Sequence, residues 1–262
     1  MLTSHKKVRK VSFTGSTNVG RILMNQSASS IKKMALELGG NAPFIVFEDA
    51  DVDAAVEGVM IAKFRNAGQT CVCANRLFVH EAVYDEFASK LEQKVRALKV
   101  GDGFEQGVTI GPLINQQAVE KVRAHVDDAV AKGAEIRCGG FESDKFIQPF
   151  VLTNMTDDML VASEETFGPV APLFKFSSEQ EVIERANDTE SGLAGYFYSR
   201  SLARAWRVGE ALEVGMVGIN EGLISTAAAP FGGIKESGLG REGSRHGMDE
   251  FLEIKYLFMG GL

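Results

Sequence analysis

Residues 43–80 read PFIVFEDADVDAAVEGVMIAKFRNAGQTCVCANRLFVH. Pro43–Phe47 is a short apolar run of the kind that forms a strand buried on both faces. Asp51 then stands where a helix N-cap belongs. Val52, Val56, Val59 and Lys63 follow at helical spacing, and the Lys63 stem can cover apolar surface. Asn66-Ala67-Gly68 ends the helix, and Arg76–His80 reads as a second strand. A strand, a helix of ten or more residues and another strand make a βαβ unit, hence a parallel pair.

The same alternation extends both ways. Upstream, Val8–Thr14 and Met34–Leu38 read as strands around a helix that follows the turn Gly15-Ser16-Thr17 and runs to about Ser29. Downstream, Val83, Phe87, Leu91, Val95 and Leu98 form a helical stripe, and a second amphipathic helix covers about Asn115–Lys132. Strands are expected at Glu135–Cys138, Val170–Phe176, Ala194–Ser199 and Val214–Asn220, with helices at Glu179–Asn187 and Leu202–Ala211. The fold class is therefore α/β, a mostly parallel sheet with flanking helices. Functional residues in such sheets sit in loops at the carboxyl ends of strands. Glu221–Gly243 is a long, Gly-rich, irregular segment of the sort that serves function. Ile254–Phe258 is a last strand-like run, available to pair outside the domain.

The 262 residues make one large domain or two small ones. Hydrophobic residues at 45% and charged residues at 24% are ordinary globular composition, which excludes disordered and collagen-like chains. A net charge of −7 argues against nucleic acid as a partner. With no apolar run of spanning length, no membrane partner is expected. Three cysteines make no disulfide framework and suit a reducing compartment, so a cytoplasmic location is expected, or the mitochondrial matrix if a transit peptide lies upstream. Their spacing, with four histidines, suggests no metal site.

Cys71 follows Asn66-Ala67-Gly68-Gln69-Thr70, in a polar loop just past a helix. That places it as an exposed thiol, whose pKa neighbouring backbone N–H groups can lower and whose oxyanion they can hold. The competing reading is a small buried hydrophobe. Glu37, between Leu36 and Leu38, is an acid among apolar neighbours. Burial there would raise its pKa toward what a general base needs; alternatively it ends a strand and faces solvent. The turn at Gly15-Ser16-Thr17 opens a helix N-terminus suited to anions, or is an ordinary strand-to-helix turn.

FTGSTNVG at Phe13–Gly20, LELGGNAP at Leu36–Pro43, NAGQTC at Asn66–Cys71, EETFGPV at Glu164–Val170 and PFGGIKESGLGREG at Pro230–Gly243 occur in an order and spacing that resemble the aldehyde dehydrogenase superfamily. The resemblance covers the chain from Leu2 onward. It implies that Cys71 is the nucleophile and Glu37 the base. NAD or NADP would be the cofactor, with Gly15, Ser16, Thr17 and Gly20 under its pyrophosphate. Leu38 would lie on the cofactor side, Glu165 would hold the ribose hydroxyls and Phe167 would pack beside the nicotinamide. Lys63-Phe64-Arg65, Cys71-Val72-Cys73-Ala74-Asn75-Arg76 and Asn220–Ser225 resemble the succinate-semialdehyde dehydrogenase branch. That implies a semialdehyde acid as substrate, its carboxylate bound by Arg65 and Ser225, with Phe231 also on the substrate side. An Arg fork suits a carboxylate geometrically. The branch also implies a redox role for Cys73, as partner to Cys71 in a disulfide; the alternative is a packed residue facing away.

Members of the family carry a long segment before the position matching Leu2. The chain therefore reads as a C-terminal part: residues 1–37 a remnant of the dinucleotide-binding domain, 38–240 the catalytic domain, and 241–262 a C-terminal helix and oligomerisation strand. The full-length form is expected to be a homo-oligomer. The part alone is expected to bind NAD(P) weakly and to act poorly as an enzyme, or to be a catalytically silent oligomerisation module; a dehydrogenase for another semialdehyde acid, or a thioesterase using Cys71 and Glu37, are further readings.

Overall fold

Ala42–Val46 is buried along its whole length, as a strand covered on both faces must be. The computed structural model describes residues 1–143 and 145–261. The chain opens with β1 (Lys10–Thr14), α1 (Thr17–Ser27), β2 (Lys33–Glu37), β3 (Ala42–Val46) and α2 (Val52–Phe64). Then come β4 (Ala74–His80), α3 (Tyr84–Arg96), α4 (Gln116–Ala131), β5 (Glu135–Ser143), β6 (Phe146–Thr153) and α5 (Leu160–Ser163). They are followed by β7 (Val170–Phe176), α6 (Glu179–Asn187), β8 (Ser191–Gly192), β9 (Ala194–Tyr198), α7 (Leu202–Ala211) and β10 (Met216–Ile219). The late segment adds β11 (Ile234–Lys235), β12 (Gly238–Leu239) and the single-turn α8 (His246–Asp249).

The main sheet has the order β10-β9-β3-β4-β7-β6-β5. Its neighbours are parallel except β5 against β6. The mostly parallel α/β reading thus holds. Phe44, Ile45, Phe78, Phe174 and Phe197 fill the interior of this sheet. Asp51 caps α2, its side chain accepting from Ala54 N at 3.1 Å. A second, small sheet has the order β1-β2-β12, with β12 antiparallel to β2. That pairing crosses the boundary drawn at residue 37 from sequence. Among the described residues no helix is long and apolar enough to cross a membrane.

Two readings need correction. Sequence suggested a strand only at Glu135–Cys138 before Val170; β5 instead runs to Ser143 and forms a hairpin with β6. In the structure the register shifts between Cys138 and Gly140, and Pro149 sits there, where its missing N–H breaks no ladder bond. Gly139 has φ +121° and lies so close to Phe150 that a Cβ would fall 2.4 Å from the ring. The second correction concerns Lys63. It is buried to its Nζ, which has no hydrogen-bond partner among the described residues.

Ile254–Phe258 forms no strand within the chain. Ile254, Tyr256, Leu257 and Phe258 are exposed.

Candidate active site

Past Phe64 the chain reverses through left-handed backbone at Asn66 (φ 53°), Ala67 (φ 55°) and Gly68 (φ 75°). For the alanine this conformation costs about 1–2 kcal/mol, so the surroundings must enforce it. Gln69 does so from both ends. Its N–H donates to Asn66 O at 3.1 Å, and its side-chain oxygen accepts from Ile114 N at 2.9 Å. Thr70–Cys73 is then a turn closed by Cys73 N donating to Thr70 O. Cys71 sits inside that turn.

The turn is folded against Gly40 so closely that a Cβ there would stand 2.4 Å from Cys71 O. Cys71 is consequently half-buried rather than exposed. Burial pushes its thiol pKa up, and the carboxylates of Glu165 and Glu37 add to the rise. The backbone N–H groups of Cys71 and Val72 act in the lowering direction but do not outweigh burial. The expectation of a pKa lowered by the loop is therefore corrected: in this cleft the resting form is the thiol.

Cys73 is fully within the interior, its thiol donating to Lys63 O at 3.4 Å. Both cysteines are free. Cys138 is buried too, but on β5, an edge strand. Edge strands open more readily than the interior. Iodoacetamide labelling followed by peptide mapping should therefore find Cys71 first, Cys138 next and Cys73 last. Labelling of Cys73 ahead of Cys138 would contradict the packing described.

Glu37 ends β2, held between Thr14 of β1 and Gly238 of β12. Its carbonyl accepts from Gly15 N at 3.0 Å. The side chain is buried, and Oε2 has no hydrogen-bond partner among the described residues. Burial, then the Glu242 charge, push its pKa up to about 7, against the pull of Arg241. The raised pKa read from its apolar neighbours is what the structure has.

A cavity of about 940 Å³ lies against Gly39 and Gly40, and neither Cys71 nor Glu37 is among its lining residues. Ser16, Thr17 and Asn18 at the start of α1 line one side, and Gly39, Gly40 and Glu165 another. Ser16 caps α1, accepting from Val19 N. Glu165 Oε1 accepts from Gly40 N at 3.2 Å, and a Cβ on Gly39 would lie 2.8 Å from Oε2. Burial raises the Glu165 pKa; the Gly40 bond, then Lys121 and Lys63, oppose the rise.

Other residues singled out in the sequence lie elsewhere. Gly15, Gly20 and Leu38 do not line the large cavity. Gly20 lets α1 approach Leu38, whose side chain a Cβ would meet at 2.6 Å. Phe167 has φ 52° and is partly exposed. Arg65 is exposed, and among the described residues no carboxylate is within salt-bridge reach of it. Ser225 is exposed; Phe231 packs on the core beside Gly232, where a Cβ would stand 2.9 Å from Glu37 Oε1. No hydrogen bond among the described residues joins Arg65, Ser225 and Phe231. The segment leading to Ser225 does reach α2, with Gly222 packed on Gly58.

A family model described as the aldehyde dehydrogenase family matches residues 1–257. The chain belongs to the aldehyde dehydrogenase family. An NADP(+) succinate-semialdehyde dehydrogenase of Escherichia coli (strain K12) is 62% identical over 262 residues, covering 99% of this chain and 54% of the relative. A glutarate-semialdehyde dehydrogenase of Pseudomonas aeruginosa is 60% identical over 264 residues, covering 100% of this chain and 55% of the relative. The crystal structure of a succinate-semialdehyde dehydrogenase from Burkholderia pseudomallei superposes with a TM-score of 0.97 at 63% identity, covering 98% of this chain and 54% of that one. The chain thus spans about half the length of the relatives it matches.

Sequence reasoning did not single out Lys121 at the cavity or the buried contacts of Arg76. Lys121, on α4, lines the large cavity. Arg76 is buried, donates to the carbonyls of Asn41, Arg185 and Ala186, and has its pKa lowered by burial to about 10. Arg76 lies inside a quoted motif, but only the fold shows which carbonyls it reaches.

Proposed function

We propose that the chain supplies the catalytic half of an NAD(P)-dependent dehydrogenase for a semialdehyde acid, succinic semialdehyde in the first place. One observation carries this reading. Gly40 packs on the carbonyl of Cys71 and lines a cavity large enough for a ligand and opened by a helix N-terminus, while the buried Glu37 carboxyl, with pKa about 7, acts on the half-buried thiol.

The residues present fit a dinucleotide. Ser16 and Thr17 at the start of α1 would face its phosphates, and the Glu165 carboxylate would accept from ribose hydroxyls. The oxidised nicotinamide, when bound, supplies the hydride acceptor. Everything else falls to this chain. The Cys71 thiol passes its proton to solvent water as its sulfur bonds to the aldehyde carbon. The backbone N–H groups at Cys71 and Val72 hold the resulting oxyanion. After the carbon has lost hydride it is a thioester of Cys71. Glu37 takes a proton from water, the water oxygen bonds to the thioester carbon, and the C–S bond breaks as Glu37 returns that proton to the Cys71 sulfur, releasing the acid. Arg65, with no carboxylate of its own, suits the far carboxylate of such a substrate.

Two further points support the reading. The names of both relatives carry a semialdehyde acid. The exposed apolar run Ile254–Met259 suits pairing with a second copy along that edge, as expected of an oligomer.

The test joins this chain to the part of the Escherichia coli relative that it does not match. Reduced-cofactor absorbance then follows succinic semialdehyde with NADP+ and NAD+. Turnover with at least one cofactor is expected, whereas calorimetry of the chain alone should show binding weaker than micromolar. No turnover in the joined protein, with Cys71 intact by mass, would overturn the proposal.

A further inference from the structure

Glu165 sits on residues 164–169, which have no regular structure between α5 and β7. A carboxylate meant to meet a ligand and face a thiol needs a fixed position. The grip comes from both neighbours of Glu165. From β4, Asn75 Nδ2 donates to Glu164 O at 3.0 Å, and Asn75 Oδ1 accepts from Thr166 N at 3.4 Å. From α4, His125 Nδ1 pairs with Thr166 Oγ1 at 3.0 Å and Nε2 with Glu164 Oε2 at 3.4 Å. His125, Asn75 and Thr166 are all buried.

The polarity of each bond follows from its partners. Asn75 Nδ2 also donates to Asn41 Oδ1 at 2.8 Å, which fixes the amide's orientation. The Glu164 carboxylate only accepts, so His125 carries its proton on Nε2 and accepts at Nδ1 from the Thr166 hydroxyl. Burial, then Lys121, hold the His125 pKa below its ordinary value, against Glu164 and Asp128, so the neutral ring makes both bonds at pH 7. Glu164 is extended (φ −108°, ψ 139°), and side chains alternate in extended backbone. Tying residues 164 and 166 to α4 therefore turns 165 the other way, where Gly40 N receives it.

We propose that His125 and Asn75 are positioning residues for Glu165, clamping the residues before and after it so that its carboxylate is held against Gly40 N, from where its charge acts on Cys71. The proposal rests on the reading above, in which Glu165 faces the cleft.

The test uses this chain as it is, and reads the rate of Cys71 alkylation by iodoacetamide against pH. Glu165→Gln removes a charge that disfavours the thiolate, so alkylation at pH 8 should quicken about three-fold. His125→Phe should quicken it to a similar extent, and should add nothing in the Glu165→Gln background. His125→Gln, which keeps a donor near Nε2, should return most of the wild-type rate. If His125→Phe fails to fold, Thr166→Val removes the same contact with little change in volume and should behave alike. An unchanged or slower rate in His125→Phe or Thr166→Val, with Glu165→Gln faster, would overturn the clamp and leave the role of Glu165 standing. The same would follow if the His125→Phe effect persisted in full without the Glu165 charge. No effect of Glu165→Gln itself would overturn both.

Discussion

Glu37→Gln is expected to slow thioester hydrolysis by about 10²–10⁴-fold, the usual worth of a general base, and to make the protein more stable. Both effects come from one buried carboxyl. In the fold its pKa is about 7 against an ordinary 4.5. The native state therefore keeps a proton that the unfolded chain has already lost. Stability falls as pH rises from 4.5, and the loss is complete once pH has passed about 7. An interval of that size corresponds to roughly 3 kcal/mol. A glutamine carries no charge at any pH and avoids this cost. Thermal melts should show the variant above the wild type at pH 8, with the gap closing near pH 4.5. In the catalytically complete protein, acyl-enzyme should accumulate by mass spectrometry. Wild-type deacylation should climb through pH 7 and the variant's should not. A deacylation rate equal to wild type would remove Glu37 as the base, whatever the melts show.

Arg65→Ala is expected to separate charged from uncharged substrates. A carboxylate held by a guanidinium gains a charge-assisted bond worth about 1.5–3 kcal/mol, or roughly 10- to 150-fold in KM. That bond forms only with a substrate that ends in a carboxylate. KM for succinic semialdehyde should rise by this factor, while an uncharged aldehyde of similar length should be barely affected. Arg65→Lys keeps the charge but loses the planar fork, so it should fall between. Equal losses on both substrates would make Arg65 a support for the nucleophile loop instead.

Local signals were legible where one interaction dominates. Val170–Phe176, Glu179–Asn187 and Leu202–Ala211 occupy the bounds read from apolar period and caps. Glu37 was readable because the apolar Leu36 and Leu38 on either side mark this stretch as interior, and all three are buried. The rest depends on contacts far along the chain. The hairpin of β5 and β6 was not legible, because its irregular register between Cys138 and Gly140 is set by the packing of Gly139 on Phe150 across the pair. Cys71 reads as an exposed, activated thiol until Gly40 is found against its carbonyl and the charge of Glu165 is found to act on it. His125 looks like any helix residue; nothing local says that it meets Glu164 and Thr166, 39 and 41 positions later.

The pairing of Gly238 with Glu37 bears on how the molecule is made. It joins positions about 200 apart in the chain, a separation of the kind that delays folding. A growing polypeptide leaves the ribosome at about 5–20 residues per second. Glu37 would thus wait on the order of ten seconds or more for the strand that encloses it. During that interval its carboxyl is hydrated and ionised. On the proposed reading of Glu37 as the base, the water-activating group would form only once Gly238 has paired with it, well after Cys71 has emerged.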